Sequence, residues 1–204
     1  MAVICPVALD REKLKSEVRA VYARVAESPQ GEFHFHRGPE YAARLLGYDA
    51  AELRELPATA TASFAGVGNP FLMDPLSAEA VVVDIGSGAG MDCLLAARRT
   101  GPRGSVLGID MTDAMLERAR AGAAEGGFSH ARFEKADATA LPLASGSVDV
   151  VISNGVINLA PDKEAVFNEL YRVVKPGGRL QFADIVLGTE LSEQARGDID
   201  LWTG

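Results

Sequence analysis

Cysteine is nearly missing from this chain: two in 204 residues, Cys5 and Cys93, far apart in sequence. They suggest no disulfide framework and no zinc cluster, and a reducing, cytoplasmic setting fits. Basic residues are also short. Twenty Lys and Arg against 28 Asp and Glu leave a formal charge of -8, spread over both halves. No basic face tracks phosphates, so nucleic acid is not an expected partner. No apolar run approaches the ~20 residues of a membrane span, so no membrane partner is expected either. The opening MAVICPVALDREK has no basic region before its short apolar patch and does not read as a secretory leader. His34 and His36 alternate with Phe33 and Phe35 and would share a face in an extended segment. No third ligand follows them at metal-site spacing, so no metal is expected. What remains is an ordinary globular composition, 48% hydrophobic and 24% charged, long enough for one domain and a modest extension.

The chain is organised around Val81 to Asp92, VVVDIGSGAGMD. Val81-Val82-Val83 is a β-branched run that predicts a buried strand, closed by Asp84. Gly86, Ser87, Gly88 and Gly90 form a turn with few side chains, and Met91 begins a helix. Such a turn brings backbone N–H groups close to a ligand. A dinucleotide fingerprint needs glycine where Met91 stands, so the loop is shaped for something other than a pyrophosphate.

Before this stretch the sequence predicts helices and loops only, a cap over residues 1–78. Asp10 caps a helix from Arg11 to about Ala26, with Leu14, Val18, Val21, Tyr22 and Val25 on one stripe. Gly38-Pro39 opens a second helix to Leu46, with Gly47 at its end. Asp49 and Glu52 have capping-box spacing for a third, which Pro57 stops. Thr59 to Pro70 reads as loop, and Asn69-Pro70 as another cap.

After it, strands and helices alternate. Strands are expected at Val81–Ile85, Ser105–Asp110, Ala131–Glu134, Val148–Ser153 and Arg179–Ile185. Helices are expected at Met91–Arg99, at Asp113–Ala124 with Thr112 as cap, and after Pro161-Asp162. The last carries Val166, Phe167, Leu170, Val173 and Val174 on its inner stripe. This is an α/β pattern with a parallel, doubly wound sheet. Ligands bind beyond the strand C-termini of such sheets. That rule selects the glycine loop, Asp110, Asp137, Ser153 to Asn158, and Asp184.

DIGSGAG, GIDMT, KADATALPL, VISNGVINL and VVKPGG, in that order, resemble the class I S-adenosylmethionine-dependent methyltransferases. GSGAGMDC, SNGVINLAPDK and YRVVKPGGRL are similar to the arsenite methyltransferase branch, and LGY…LP…GVGNP and VRAVYARV extend the likeness into the cap. The resemblance implies a Rossmann-like sheet in residues 79–204, S-adenosyl-L-methionine as cofactor, S-adenosyl-L-homocysteine as product, and methyl transfer to a small molecule. It implies that Asp84 orients the loop or accepts from the methionine amine, and that Gly86 and Gly88 bare the backbone to the methionine portion. Asp110 would accept from the ribose hydroxyls, Met111 pack on adenine, and Asp137 accept from the adenine amino group with Ala136 and Ala138 leaving room. Asn154 would sit near the sulfonium. Tyr22 matches the second tyrosine of a Tyr-Tyr-Gly motif, here flanked by Val21 and Ala23. Such a transfer is an in-line displacement that needs positioning and exclusion of water more than a general base.

The family's arsenic-binding cysteines do not carry over. In G-C-G-N-P the position is Val67, in S-N-C-V-I-N it is Gly155, and a third follows a W-x-G segment near Trp202, where this sequence stops at Gly204. Thiolate ligation of arsenic is therefore unsupported, and His34, His36, Arg37, Asn69 and Asn158 are the polar candidates for an acceptor pocket. From Val186 onward one polar helical segment is expected, without the family's closing strand pair, and an open sheet edge would favour a homodimer. A metalloid methyltransferase using fewer thiols and a cofactor-binding protein with little catalysis are the alternatives. DNA methylation is disfavoured by the acidity and by SNGV where an N-P-P-Y-like tetrapeptide would stand.

Overall fold

The structure, a computed structural model, describes residues 10–186 and 188. Five parallel strands form one sheet: β1 (Val81–Ile85), β2 (Ser105–Asp110), β3 (Ala131–Lys135), β4 (Val148–Asn154) and β5 (Val174–Ala183), in the order β3-β2-β1-β4-β5. β1 is central, with Asp84 between Gly108 of β2 and Ile152 of β4. Strand order reverses beside it, which puts the sequence's glycine loop at the switch point.

Seven helices flank the sheet among the described residues: α1 (Arg11–Glu27), α2 (Gly38–Leu45), α3 (Ala50–Arg54), α4 (Ala58–Thr61), α5 (Met91–Thr100), α6 (Asp113–Glu125) and α7 (Lys163–Val173). Each strand sends alternate residues to opposite faces. On one face Val82, Val150 and Ile152 pack with Leu94, Leu95 and Ala96 of α5. On the other, Val83, Ile85 and Val151 pack with Val166, Leu170 and Val173 of α7. The cap joins the first of these cores: Tyr48, Leu53, Leu56, Phe64 and Phe71 lie in the same cluster as α5. Covered from both sides, α5 has eight of its ten residues buried, Asp92 among them.

Several expectations are corrected. Thr59 to Pro70 is not all loop: Pro57 starts α4 rather than only stopping α3, and a 3-10 turn spans Pro70–Leu72. α4 is fixed by close packing, since a Cβ on Gly122 of α6 would lie 3.0 Å from the Ala60 Cβ. Glu52 accepts from Arg99 Nη2 at 2.8 Å, so its carboxylate is spent on α5. Thr112 makes no side-chain cap bond to α6. Phe167 is not on the inner stripe of α7; it is 40% exposed and packs edge-on against Phe182. β5 starts at Val174, paired with Val148 ahead of a bulge, and ends at Ala183. The expectations about Cys5, the C-terminal helical segment, the missing strand pair and the chain end lie outside the described residues. Among the described residues no helix is long and apolar enough to cross a membrane, and no group of three metal-ligating side chains occurs.

Candidate functional site

The loop after β1 is stitched to the end of β2. Gly86 N and Ser87 N both donate to Ile109 O, at 2.8 and 2.9 Å. Gly88 N donates to Asp110 Oδ2 at 2.9 Å, and Thr112 N to Asp110 Oδ1 at 2.8 Å. Asp110 therefore holds the loop with one oxygen and the turn after its own strand with the other, each keeping a lone pair for a ligand. Gly86 takes φ 70°, and a Cβ there would lie 2.3 Å from Val156 Cγ2, so no other residue fits without displacing that valine. Gly90 corrects its expected role. It does not line the cavity, and a Cβ there would lie 2.9 Å from the Phe133 ring. Its service is to let α5 approach β3.

A cavity of about 380 Å³ lies over the strand C-termini. Asp84, Gly86, Ser87, Gly88, Asp110, Met111, Ala136, Asp137, Ala138, Asn154 and Tyr22 all line it, brought together from α1 and four strand ends. The volume falls in the range of about 300–1,000 Å³ usual for small-molecule sites. Lys15 of α1, which sequence reading missed, also lines it and donates to Asp137 Oδ2 at 2.6 Å. Thr139 N and Oγ1 donate to Asp137 Oδ1 at 2.9 and 2.7 Å. Burial works against the Asp137 charge, but these bonds outweigh it and hold the carboxyl below its ordinary value.

Asn154 is more committed than its expected role requires. Its Oδ1 accepts from Val67 N at 2.8 Å and Gly68 N at 3.1 Å. Its Nδ2 donates to Gly68 O, the Tyr48 hydroxyl and Asp92 Oδ2 at 2.8 to 3.1 Å. Tyr48 in turn donates to Asp92 Oδ1 at 2.8 Å. Asn154 thus lines the cavity but works as a pin that fastens residues 67 and 68 of the cap to β4 and α5. Sequence reading missed Asp92 and Tyr48. The one available signal was an acid inside the otherwise apolar helix start MDCLLAA.

Two carboxylates sit at the cavity floor. Asp84 is 2% exposed and Asp92 5%. Burial pushes both up, Asp92 to about 6, with hydrogen bonds from Asn154 and Tyr48 opposing the rise. Asp84 is driven well above its ordinary value, first by burial and then by the Asp92 charge. Cys93 is the buried thiol that donates to Asp84 Oδ2 at 3.3 Å, and burial beside that carboxylate raises its own pKa. Tyr22 is pushed up to about 12, chiefly by burial and then by Asp110 and Asp184, and stacks on Phe35.

The expected acceptor candidates do not converge on the cavity. His34, His36 and Arg37 lie in a separate surface pocket formed by residues 29–40 with Ala62. Arg37 spends its guanidinium on the carbonyls of Pro29, Gly31 and Phe35 and lies 4.2 Å over the Phe33 ring. Asn69 caps the 3-10 turn through Phe71 N and donates to Gly47 O. Asn158 N donates to Asp184 Oδ2 outside the cavity lining. The local rules that found these residues cannot tell a loop brace from a ligand contact.

A parallel sheet whose first strand feeds a glycine loop, with an acid ending the second strand and a cavity over both, defines the Rossmann-like methyltransferase class. A family model described as a methyltransferase domain matches residues 76–202, and the chain belongs to that S-adenosylmethionine-dependent family. Over this domain the chain is similar to arsenite methyltransferases. It is 42% identical to the arsenite methyltransferase of Halobacterium salinarum over 78% of this chain and 40% of that one. It is 43% identical to that of Aquipseudomonas alcaligenes over 65% of this chain and 39% of that one. An arsenic(III) S-adenosylmethionine methyltransferase from Chlamydomonas reinhardtii superposes with a TM-score of 0.58 at 34% identity, over 76% of this chain and 51% of that one. The chain thus spans about 40% of the length of the curated relatives it matches.

Proposed function

We propose that this cavity binds S-adenosylmethionine and that the protein transfers its methyl group to a small-molecule acceptor not held by thiolates. The observation that carries the reading is the loop from Gly86 to Gly88, fastened to Asp110 and opening onto the cavity. The donor-side residues fit the cofactor. The Ser87 hydroxyl is buried without a partner, and two buried carboxylates stand where a cationic ligand would be welcome. When bound, the cofactor supplies a methyl group already activated on a sulfonium.

The roles then divide along the chain: residues 79–204 hold the donor and residues 1–78 close the acceptor side. Asp84 faces the amino group, the loop backbone lies against the methionine chain, and Asp110 takes the ribose hydroxyls with its remaining lone pairs. Met111, Ala136, Ala138 and Asp137 form the adenine end. Asn154 keeps the cap segment at residues 67 and 68 against the strand ends, so water is excluded where the methyl would pass. Tyr22 closes the α1 side with a phenol that stays protonated. Val67 and Gly155 meet each other where the resemblance places two arsenic-binding thiolates, so the soft-ligand pair is absent there. The cytoplasm is the setting we propose, with Cys93 reduced and buried.

Calorimetry with S-adenosylmethionine and S-adenosylhomocysteine tests the donor half. Micromolar binding that is lost in Asp110→Ala supports it, and no binding to the parent chain sinks it. Incubation with labelled cofactor, arsenite and glutathione tests the acceptor half. Methylated arsenic would overturn the exclusion of arsenic. Binding without turnover on any small-molecule panel would leave a cofactor-binding protein instead.

A further inference from the structure

Asn154 Nδ2 carries two hydrogens and has three acceptors within reach: Gly68 O, the Tyr48 hydroxyl oxygen and Asp92 Oδ2. The Tyr48 hydroxyl spends its one hydrogen on Asp92 Oδ1 at 2.8 Å. Burial, and then the Asp92 charge, hold that phenol well above its ordinary value, so it stays a donor. Deleting the hydroxyl would still leave Asn154 an acceptor for each of its hydrogens. Asp92 would lose one of its two side-chain donors. The ring of Tyr48 packs without help from the oxygen: it is buried edge-on against Phe64 and Phe71, with centroids 5.4 and 6.4 Å away. The hydroxyl is thus there for Asp92.

The two buried carboxylates are served unequally. Asp92 accepts from Tyr48 and Asn154, and Arg99 on the same helix adds a positive charge nearby. Among the described residues the Asp84 side chain accepts only from the Cys93 thiol, a weak donor, and it feels Asp92 and Asp110 as like charges. In the unliganded protein the charge therefore settles on Asp92 and the proton on Asp84. Both line the cavity, and Asp92 Oδ2 lies 3.1 Å from the amide of Asn154, beside the path of the methyl in the donor reading. The methyl donor and its demethylated product differ there by one methyl group and one positive charge. We propose that Tyr48 is a positioning residue whose hydroxyl keeps the negative charge on Asp92, so that the site holds the sulfonium of the donor in preference to the neutral thioether of the product. The cap then takes part in shedding the product. The assignment rests on the donor reading above and adds Tyr48, which lies outside the cavity lining.

The test is calorimetry on the intact chain with S-adenosylmethionine and S-adenosylhomocysteine, at about pH 6.5 and about pH 8.5. The quantity read is the ratio of the two affinities in a variant relative to the parent at the same pH, which cancels titration of the ligands' own amino groups. Tyr48→Phe keeps the ring, removes a donor from Asp92 and so moves its ionisation to higher pH. Its preference for S-adenosylmethionine should fall roughly threefold below the parent's at the lower pH and return to the parent's at the higher. Asp92→Asn, which cannot ionise, should keep the reduced preference at both. A merely structural hydroxyl would weaken both ligands alike and leave the ratio unmoved. An unchanged ratio in Tyr48→Phe, or a loss that the higher pH does not restore, overturns the assignment while the donor reading stands. A parent chain that binds neither ligand overturns the donor reading and this assignment with it.

Discussion

The side chain of Val67 stands directly over Gly155. A Cβ built on Gly155 would lie 3.1 Å from Val67 Cγ1 and 3.4 Å from Val67 Cγ2. The two positions where the resemblance places arsenic-binding cysteines are thus neighbours across the cap–sheet boundary, and here an aliphatic contact fills the space. Replacing both residues, Val67→Cys with Gly155→Cys, should create a dithiol that captures phenylarsine oxide, while each single variant and the parent should not. Gly155 has φ 73°, so the second substitution carries backbone strain of about 1 kcal/mol. A thiol-reactivity titration in the presence of the arsenical reads the outcome. Failure of the double variant to bind would show that these positions cannot be brought to chelating distance.

The buried carboxylates make both stability and binding depend on pH, in opposite directions. The Asp92 carboxyl is raised from 3.8 to about 6 in the folded protein. A raised carboxyl contributes stability that is complete below pH 3.8 and is lost as pH rises through about 6. The unliganded protein should therefore lose a stabilising contribution across that window. A cationic ligand favours the ionised carboxylates, so affinity for S-adenosylmethionine should rise across the same window. Calorimetry near pH 6 in buffers of different ionisation enthalpy should report release of a proton on binding. A pH-independent affinity with no proton release would show that Asp84 and Asp92 do not face the ligand's charge.

Asn154→Ala should cost stability before it costs chemistry. Its removal strips the amide acceptor from Val67 N and Gly68 N and the donor from Asp92. With about 1–3 kcal/mol for each buried group left unpaired, a total of roughly 2–4 kcal/mol is expected after relaxation. Urea unfolding of the unliganded variant measures it. An unchanged midpoint would return Asn154 to a purely ligand-facing role.

Lys15 and Asp137 tie α1 to the end of the cavity proposed above for adenine. The pair is part exposed, 27% and 40% for the two side chains, so Lys15→Met should change stability by less than about 1 kcal/mol. Its effect should fall on ligand exchange. Freed from Lys15, Asp137 is available to the adenine amino group and α1 loses a fastening, so S-adenosylhomocysteine should both enter and leave several-fold faster. Stopped-flow measurement of both rate constants checks this. Unaltered rates would show that α1 does not gate the cavity.

The glycine loop and the strand ends that line the cavity are legible because their signals are local. β-branched residues, a glycine turn and an acid at a strand end follow one another in sequence, and the parallel order needs only their alternation. The bonds by which Asn154 pins the cap are not legible in the sequence, because its partners lie elsewhere: 87 residues away for Val67 N and 106 for the Tyr48 hydroxyl. Lys15 reaches Asp137 across 122 positions, and no spacing rule spans that distance. That the acceptor candidates lie outside the cavity lining is not legible for a different reason. His36, Arg37 and Asn69 are polar residues near glycine and proline, which marks a turn equally well whether the side chain braces the loop or greets a ligand. β5 began earlier than expected because Lys175-Pro176-Gly177-Gly178 reads as a stop, whereas the strand absorbs the irregularity as a bulge and Lys175 pairs with Asp149.

The five bonds of Asn154 also impose an order on biosynthesis. Helices α2 to α4 and the segment through Gly68 leave the ribosome well before β4 is translated. Until Asn154 emerges, Val67 N and Gly68 N lack the amide oxygen that holds them and Tyr48 lacks the donor to its hydroxyl oxygen. The cap is thus made first and secured last. A nascent chain arrested before residue 150 would leave Tyr48, Phe64 and Phe71 without the Val150 and Ile152 side chains they cluster with. Such an intermediate would be sticky, and the cell's holding factors would meet it before any substrate does.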